Sequence, residues 1–466
     1  MPLLEAVKGV VRRRLVARAG GIDLTQIHRV PDRLTWPLDR ELADPHRRVG
    51  ELRAKDPVSK LITFLGMEVW LVTGDAEARE VLGDLTSYST DVRPYYGRSG
   101  AENGDIGGLG FTDPPEHTRL RKLLTPEFTM RRLARLKPAI DRIIEQQLDE
   151  TERVAAENDG VVDLVKTFAF PIPFLVICEL LGLRDEDRET FRKLGSARFD
   201  VSNGGGAIMG AVGASREFLF AECERQRTDP GPGLIGQIIR EHGDEINDFD
   251  LGGLADGAFT GGLETSASML ALGTIVLLGR PELYAGMADD PTSVTPTVEE
   301  LLRHLSVVQV AFPRFTRQEV TVGGHRIRKE SCVMVHLPAA DRDPRAYPAG
   351  DLLDPSRATS SHLAFGYGFH RCVGAELARM ELRTAYPALA RRFPDLALAV
   401  PAEELAYHAT SIVYGVESVP VRLHGSPPPT RRINRGPRPA RPPRPASARR
   451  RGRACSATRS CCRRRG

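Results

Sequence analysis

Phe365-Gly366-Tyr367-Gly368-Phe369-His370-Arg371-Cys372-Val373-Gly374 is the stretch on which the reading of this chain turns. Glycines at alternate positions, Gly366 and Gly368, let the backbone take positive φ and fold tightly ahead of the cysteine. The residues that follow, AELARMELRTAYPALARRF, are strong helix formers and place Cys372 at the mouth of a helix. Free N–H groups at a helix start favour a thiolate over a thiol. The plainer alternative is an inert, buried cysteine beside a turn. A lone cysteine after a glycine loop would suit that alternative; ten residues in this pattern suit it poorly.

The segment resembles the cysteine-ligand signature of the cytochrome P450 family, matching it at Phe365, Gly366, Gly368, His370, Cys372 and Gly374. The resemblance implies a haem b cofactor (iron protoporphyrin IX), with Cys372 as its axial metal ligand. It also implies that Phe365 and Gly366 contact the haem and that His370 meets a propionate. A thiolate ligand pushes electron density onto haem iron and favours O–O cleavage.

Working outward, four more features fall in the order this family has them. In Asp113-Pro114-Pro115-Glu116-His117-Thr118-Arg119-Leu120-Arg121, His117 and Arg121 stand four apart on one face of a starting helix. Alone, such a pair would read as a solvated basic face; the resemblance makes it a propionate contact, and Arg can bind a carboxylate bidentately. Gly261-Gly262-Leu263-Glu264-Thr265-Ser266 lies within a strongly apolar helical stretch. Paired glycines in a helix interior cost about 1 kcal/mol each relative to Ala, and they would let the helix widen or kink there. Glu264 and Thr265 then offer an acid and a hydroxyl as a proton relay, and the resemblance makes them catalytic. The competing readings are a salt-bridged glutamate and a threonine bonded back to its own helix.

Glu300 and Arg303 form a pair at i, i+3, of a kind worth little on a surface; the resemblance makes it buried and structural. A further arginine commonly joins that pair, and alignment of AYPAGDLLDPSR puts Leu352 in its place, so the partner is expected to be missing. Asp341 likewise stands where an asparagine is usual. Last, Arg314 in Phe312-Pro313-Arg314 matches a position that binds the second propionate; alone it would read as a surface arginine.

By the same resemblance the substrate pocket takes in Arg93, Tyr95, Ala258, Gly261, Gly262, Val310 and Ile412. Its mostly small and apolar side chains suit a hydrophobic small molecule, such as a product of secondary metabolism. The implied activity is dioxygen-dependent hydroxylation or epoxidation. Electrons would come from a ferredoxin or flavodoxin with its NAD(P)H reductase, docking near Lys122, Arg371 and Arg379. Oxidative coupling, peroxide-driven oxidation and a non-catalytic haem sensor are the alternatives.

Composition agrees. The chain has 466 residues, 41% of them hydrophobic, enough to bury a large core. Its net charge of +4 hides an asymmetry: residues 426–466 carry fourteen arginines and no acid, which leaves −10 on the rest. Two parts follow, a catalytic domain over 1–425 and an Arg/Pro-rich tail over 426–466 expected to be disordered. Charge runs specify little, so no specific nucleic-acid partner is expected. Cys178, Cys223, Cys332 and Cys372 are widely spaced, as suits a reducing cytoplasm. The N-terminus, with Leu4, Val7, Val11 and Leu15 among basic residues, reads as an amphipathic helix and not as a signal peptide. The most apolar run, Met269–Leu278, is too short by itself for a membrane span.

Periodicity makes the body mainly α with a minor β part. Helices are expected over Leu133–Val154, over Asp163–Leu183 with breaks at Pro171 and Pro173, and over Leu251–Leu278 through the core. Strands are expected at Glu68–Val72, Glu319–Val322 and Cys332–His336. The glycine runs at 107–110 and 203–206 are expected as mobile loops and lack dinucleotide-binding spacing.

Overall fold

The computed structural model describes residues 32–64, 66–92, 108–197, 204–357, 361–408 and 410–424. The helices that position the site are α1 (Glu116–Leu124), α2 (Lys137–Glu157), α3 (Pro171–Leu181), α4 (Gly204–Thr228), α5 (Asp248–Leu278), α6 (Pro291–Leu305) and α7 (Ala375–Arg392). The main sheet uses β1 (Val58–Phe64), β2 (Met67–Val72), β3 (Tyr88–Ser89), β4 (Arg314–Thr316) and β5 (Cys332–Val335), in the order β1-β2-β5-β4-β3. β5 runs parallel to β2 with Val333 opposite Trp70, and its other neighbour, β4, is antiparallel. The cytochrome P450-type division into a helical body and a small sheet region is therefore present, mainly α as expected.

Local chemistry explains most boundaries. Ile140, Ile143, Ile144, Leu148, Thr151 and Ala155 are buried at helical spacing and give α2 its inner face. Pro138 lacks an N–H and suits a first turn, so α2 starts at Lys137, after a short 3₁₀ turn at Ala134–Leu136. The segment expected as one interrupted helix becomes a π-helical turn, Val165–Ala169, followed by α3, which opens on Pro171 and closes on Gly182 at φ 81°. Gly204–Gly206, expected as a mobile loop, instead open α4. Packing of α4 on α5 outweighs the entropic cost of those glycines. The run at 107–110 is described only from Gly108, where a 3₁₀ turn to Phe111 packs on α5.

α5 is the axis of the core. Asn247 caps it by accepting from the Asp250 N–H at 2.8 Å, and 31 residues follow without a break. By length and apolarity this helix could cross a membrane, yet 67% of its most apolar window is buried by the rest of the protein. α3, α4 and α7 cover it. α7 approaches most closely at Gly273, where a Cβ would lie 1.9 Å from the Tyr386 hydroxyl; that hydroxyl donates to the Met269 carbonyl at 2.5 Å. The amphipathic N-terminus, the 426–466 tail, Arg93 and Tyr95 lie outside the described residues.

Candidate active site

Cys372 is placed by backbone, not by side chains. Gly366 and Gly368 both take φ 70°, and a Cβ at Gly368 would stand 2.7 Å from the Leu82 carbonyl. The turn closes through Gly366 N–H to Leu363 O at 2.7 Å, Arg371 N–H to Gly368 O at 3.1 Å and Cys372 N–H to Phe365 O at 2.9 Å. Helix α7 begins at Ala375 with Gly374 as its cap, so the sulphur sits just ahead of the helix. Cys372 is exposed, and the other described cysteines are also free thiols. Crowding by protein raises the Cys372 pKa, while the Gly374 N–H and the charges of Arg121, Arg371 and Arg379 pull it down. Arg121 binds the loop directly, donating to the Arg371 carbonyl at 2.7 Å.

Beside this loop four basic residues converge. His117, at the start of α1, is fully buried, and its ring lies 4.3 Å from that of His370 and 4.6 Å from that of Phe369. Both His117 ring nitrogens and His370 Nε2 are buried without a hydrogen-bond partner. Burial, then the nearby Arg121, lowers His117 to about 4, against a weaker pull from Asp113. Burial, then Arg314 and His117, lowers His370 to about 3. Arg314 on β4 is 3% exposed and pushed down to about 10 by burial, with Asp113 opposing. Its Nη1 donates to the Phe312 carbonyl at 2.7 Å. Guanidinium charge packed beside imidazoles held neutral, their buried nitrogens orphaned, is costly unless an anion supplies the missing partner.

On α5, Glu264 is partly buried and desolvation alone raises its carboxyl to about 7. Thr265 Oγ1 donates to the Gly261 carbonyl at 2.7 Å, so it is the threonine bonded back to its own helix. α5 runs through Gly261 and Gly262 as continuous helix. A Cβ at Gly261 would meet nothing within 4 Å, whereas one at Gly262 would press on Ile177 of α3. Ala258 lies one turn before Gly262 and is partly buried. Val310 bridges to His336, and Ile412, 59% exposed, accepts from the Gln309 N–H at 2.8 Å. Those two pocket residues are thus brought to one place by Gln309.

The Glu300–Arg303 pair is buried as expected, at 4% and 1% exposure. Arg303 donates to both Glu300 oxygens at 2.7–2.8 Å and to the carbonyls of Asp341, Gly350 and Leu352. The expectation of a missing third partner is wrong. Arg357 supplies it, its Nε 3.1 Å from Glu300 Oε1, while the Leu352 side chain points outward at 61% exposure. The turn-rich loop 348–357 folds back, with Arg357 donating to Pro348 O and Ala349 O, and so returns a later arginine to the pair. Asp341 is fully buried, accepting from Ser306 Oγ at 2.6 Å and Leu363 N–H at 2.5 Å. Arg379, expected on a docking face, is 7% exposed and ion-paired; Lys122 and Arg371 are exposed.

One acid escaped the sequence reading. Glu381 on α7 is 2% exposed, its Oε2 has no partner, and burial raises it to about 8 against a hydrogen bond from Ser266 of α5. A glutamate among the buried, apolar positions of α7 was the signal available.

The family model for cytochrome P450 matches residues 234–397, which include α5, the Glu300–Arg303 pair and the cysteine loop. Cytochrome P450 165C4 of Amycolatopsis orientalis is 40% identical over 76% of this chain and 88% of its own length. This chain belongs to the cytochrome P450 family. Another P450 relative, 6-deoxyerythronolide B hydroxylase of Saccharopolyspora erythraea, is 36% identical over 82% of this chain and 96% of its own. Among solved P450 structures, OxyC, implicated in an oxidative C–C coupling reaction during vancomycin biosynthesis, superposes with TM-score 0.74. It is 38% identical and is matched over 82% of this chain and 95% of its own. The protein is accordingly a haem-iron oxidoreductase of the P450 monooxygenase kind. The residues present fit the haem that the family implies: an exposed cysteine stands beside two arginines and two histidines whose buried ring nitrogens lack partners, a donor set suited to two carboxylates.

Proposed function

We propose that Cys372 ligates the iron of a haem b whose propionates are held by His117, Arg121, Arg314 and His370, with Phe365 and Gly366 against the macrocycle. The observation that carries this reading is the basic cluster, in which three ring nitrogens are buried without partners next to an equally buried Arg314. Bound there, a thiolate-ligated haem supplies activation of dioxygen. The chain's own contribution is proton handling. Glu264, raised to about 7, can both hold and release a proton near neutral pH, and the Thr265 hydroxyl is its neighbour on α5. Ala258, Gly261 and Gly262 would leave room on that helix for a hydrophobic substrate, and Val310 and Ile412 would face it with apolar side chains. Arg93 and Tyr95 are retained as further pocket residues.

The proposed reaction is oxygen insertion into a hydrophobic secondary metabolite in the cytoplasm, with electrons from a ferredoxin or flavodoxin and its NAD(P)H reductase. A second reading, oxidative coupling, is favoured by the likeness to OxyC, which is implicated in C–C coupling. Two measurements test these readings. The reduced carbonyl complex should show the red-shifted Soret band of thiolate ligation, and Cys372→Ser should lose it; a parent without that band sinks the ligand assignment. With a turned-over substrate, Thr265→Ala should divert NADPH electrons into hydrogen peroxide. Glu264→Gln should slow turnover roughly a hundredfold or more, as loss of a positioned proton donor does. Unchanged coupling in Thr265→Ala would reduce Thr265 to the helix-bonding role its contact with Gly261 already gives it. Product mass separates oxygen insertion from coupling.

A further inference from the structure

Helix α6 presents two consecutive glutamates. Glu300 is consumed by Arg303 and Arg357, which tie the loop 348–357 to the core. Glu299 faces a different set of partners. Arg379 of α7 donates to it bidentately, Nε at 2.8 Å and Nη2 at 2.9 Å. Arg383 Nη2 reaches the same carboxylate at 2.7 Å, and His362 Nε2 lies 3.2 Å away. Burial opposes ionisation of Glu299, but hydrogen bonds from His362 and Arg379 hold its carboxyl far below the ordinary range. His362 Nδ1 accepts the Ala364 N–H at 3.3 Å, so its proton belongs on Nε2, pointing at Glu299. One carboxylate therefore gathers the residue that begins the cysteine segment and two arginines of the helix that follows it.

The consequence lies in where Arg379 is held. Its guanidinium stands 4.7 Å over the Phe365 ring, and the Phe365 carbonyl accepts the Cys372 N–H. Arg379 is 7% exposed, so water screens its charge poorly. Glu376 takes only its remaining Nη1, at 2.9 Å. The charge that Cys372 experiences from this quarter thus depends on whether Glu299 balances Arg379. We propose that Glu299 is a positioning residue for the cysteine loop, holding and neutralising Arg379 above Phe365 and so setting how strongly the Cys372 sulphur donates to its metal. This rests on the reading of Cys372 as the haem ligand. A removed negative charge should make the haem easier to reduce, and a removed positive charge harder.

The experiment is spectroelectrochemical titration of the haem-loaded full chain, with carbonyl spectra and thermal melts recorded alongside. Glu299→Gln should shift the reduction potential upward and Arg379→Met downward, with the double variant between them. Arg379→Lys, which keeps the charge and loses the bidentate geometry, should stay near the parent. Shifts of the same sign in Glu299→Gln and Arg379→Met, or unmoved potentials with lowered melting temperatures, would overturn the proposal and leave a packing role. Should Glu299→Gln fail to hold haem, the two Arg379 variants decide: equal shifts overturn it, and a downward shift in Met alone supports it. A parent without the thiolate carbonyl band would instead show that the ligand reading had failed.

Discussion

Two clusters of buried charge touch the segment from His362 to Cys372, and they differ in their balance. In the first, Glu299 and Glu300 meet Arg303, Arg357, Arg379 and Arg383, and the carboxylates are saturated with donors. In the second, His117, His370, Arg314 and Arg121 crowd together, depress one another, and leave three ring nitrogens unserved. Burial is similar in both, so burial does not tell structure from site. Partnership of the acids and imidazoles does: in the first cluster every carboxylate oxygen has a donor and the group holds the fold, whereas the second keeps its ring nitrogens for a ligand the chain does not itself supply.

The largest test of this contrast is Arg303→Met. Breaking the buried pair leaves Glu300 with Arg357 as its one charged partner and three backbone carbonyls without their donor, and loss of about 3–5 kcal/mol of stability is expected, measured from the denaturant midpoint. A loss comparable to that of a surface residue would show that the first cluster is not what holds the loop 348–357. Arg314→Met should behave in the opposite way. Haem retention, followed by transfer to a competing apoprotein, should weaken roughly ten- to a hundredfold for one lost charge-assisted bond. The haem-free protein should melt no lower than its parent, because a like charge has been removed; a lower melt would place Arg314 in the structural cluster.

Asp341 sharpens the comparison, being a buried acid beside the first cluster that ionises only at a cost. Burial raises it to about 6, above its ordinary 3.8, with the Leu363 N–H and Ser306 hydroxyl opposing. A carboxyl raised on folding contributes stability that is full below its ordinary value and is lost as pH climbs through about 6. Asp341→Asn can keep both bonds, with its amide donating to the Ser306 hydroxyl, so it should gain about 3 kcal/mol at pH 7 and nothing near pH 3. A pH-independent difference between the two proteins would show that ionisation of Asp341 is not the cause. Smallest of all is truncation after Gly425, which should leave haem content and turnover unchanged; a large fall in either would make the basic tail part of the enzyme.

The cysteine loop was legible in the sequence because its logic is local: alternate glycines, then a helix. The pairing of Glu300 with Arg303 was legible for the same reason, both lying on one helical turn. Arg357 was not, because its return to Glu300 depends on a reversal of the loop 348–357 that no periodicity reports. The partners of Glu299 lie more than sixty residues along the chain, at His362, Arg379 and Arg383, and become neighbours only when α6 meets α7. Arg379 was misplaced on the surface for that reason. Glycines misled once: at 204–206 a helix forms where a loop was expected.

The contact between Gly273 and Tyr386 fixes a length. α5 carries Glu264 and Thr265, α7 follows the sulphur, and the two helices meet where one hydroxyl occupies the space of an absent methyl. The spacing of the two helices at that crossing is gauged by that single missing carbon. An alanine at 273 would act as a shim, driving the Tyr386 hydroxyl and the helix that carries it away from α5.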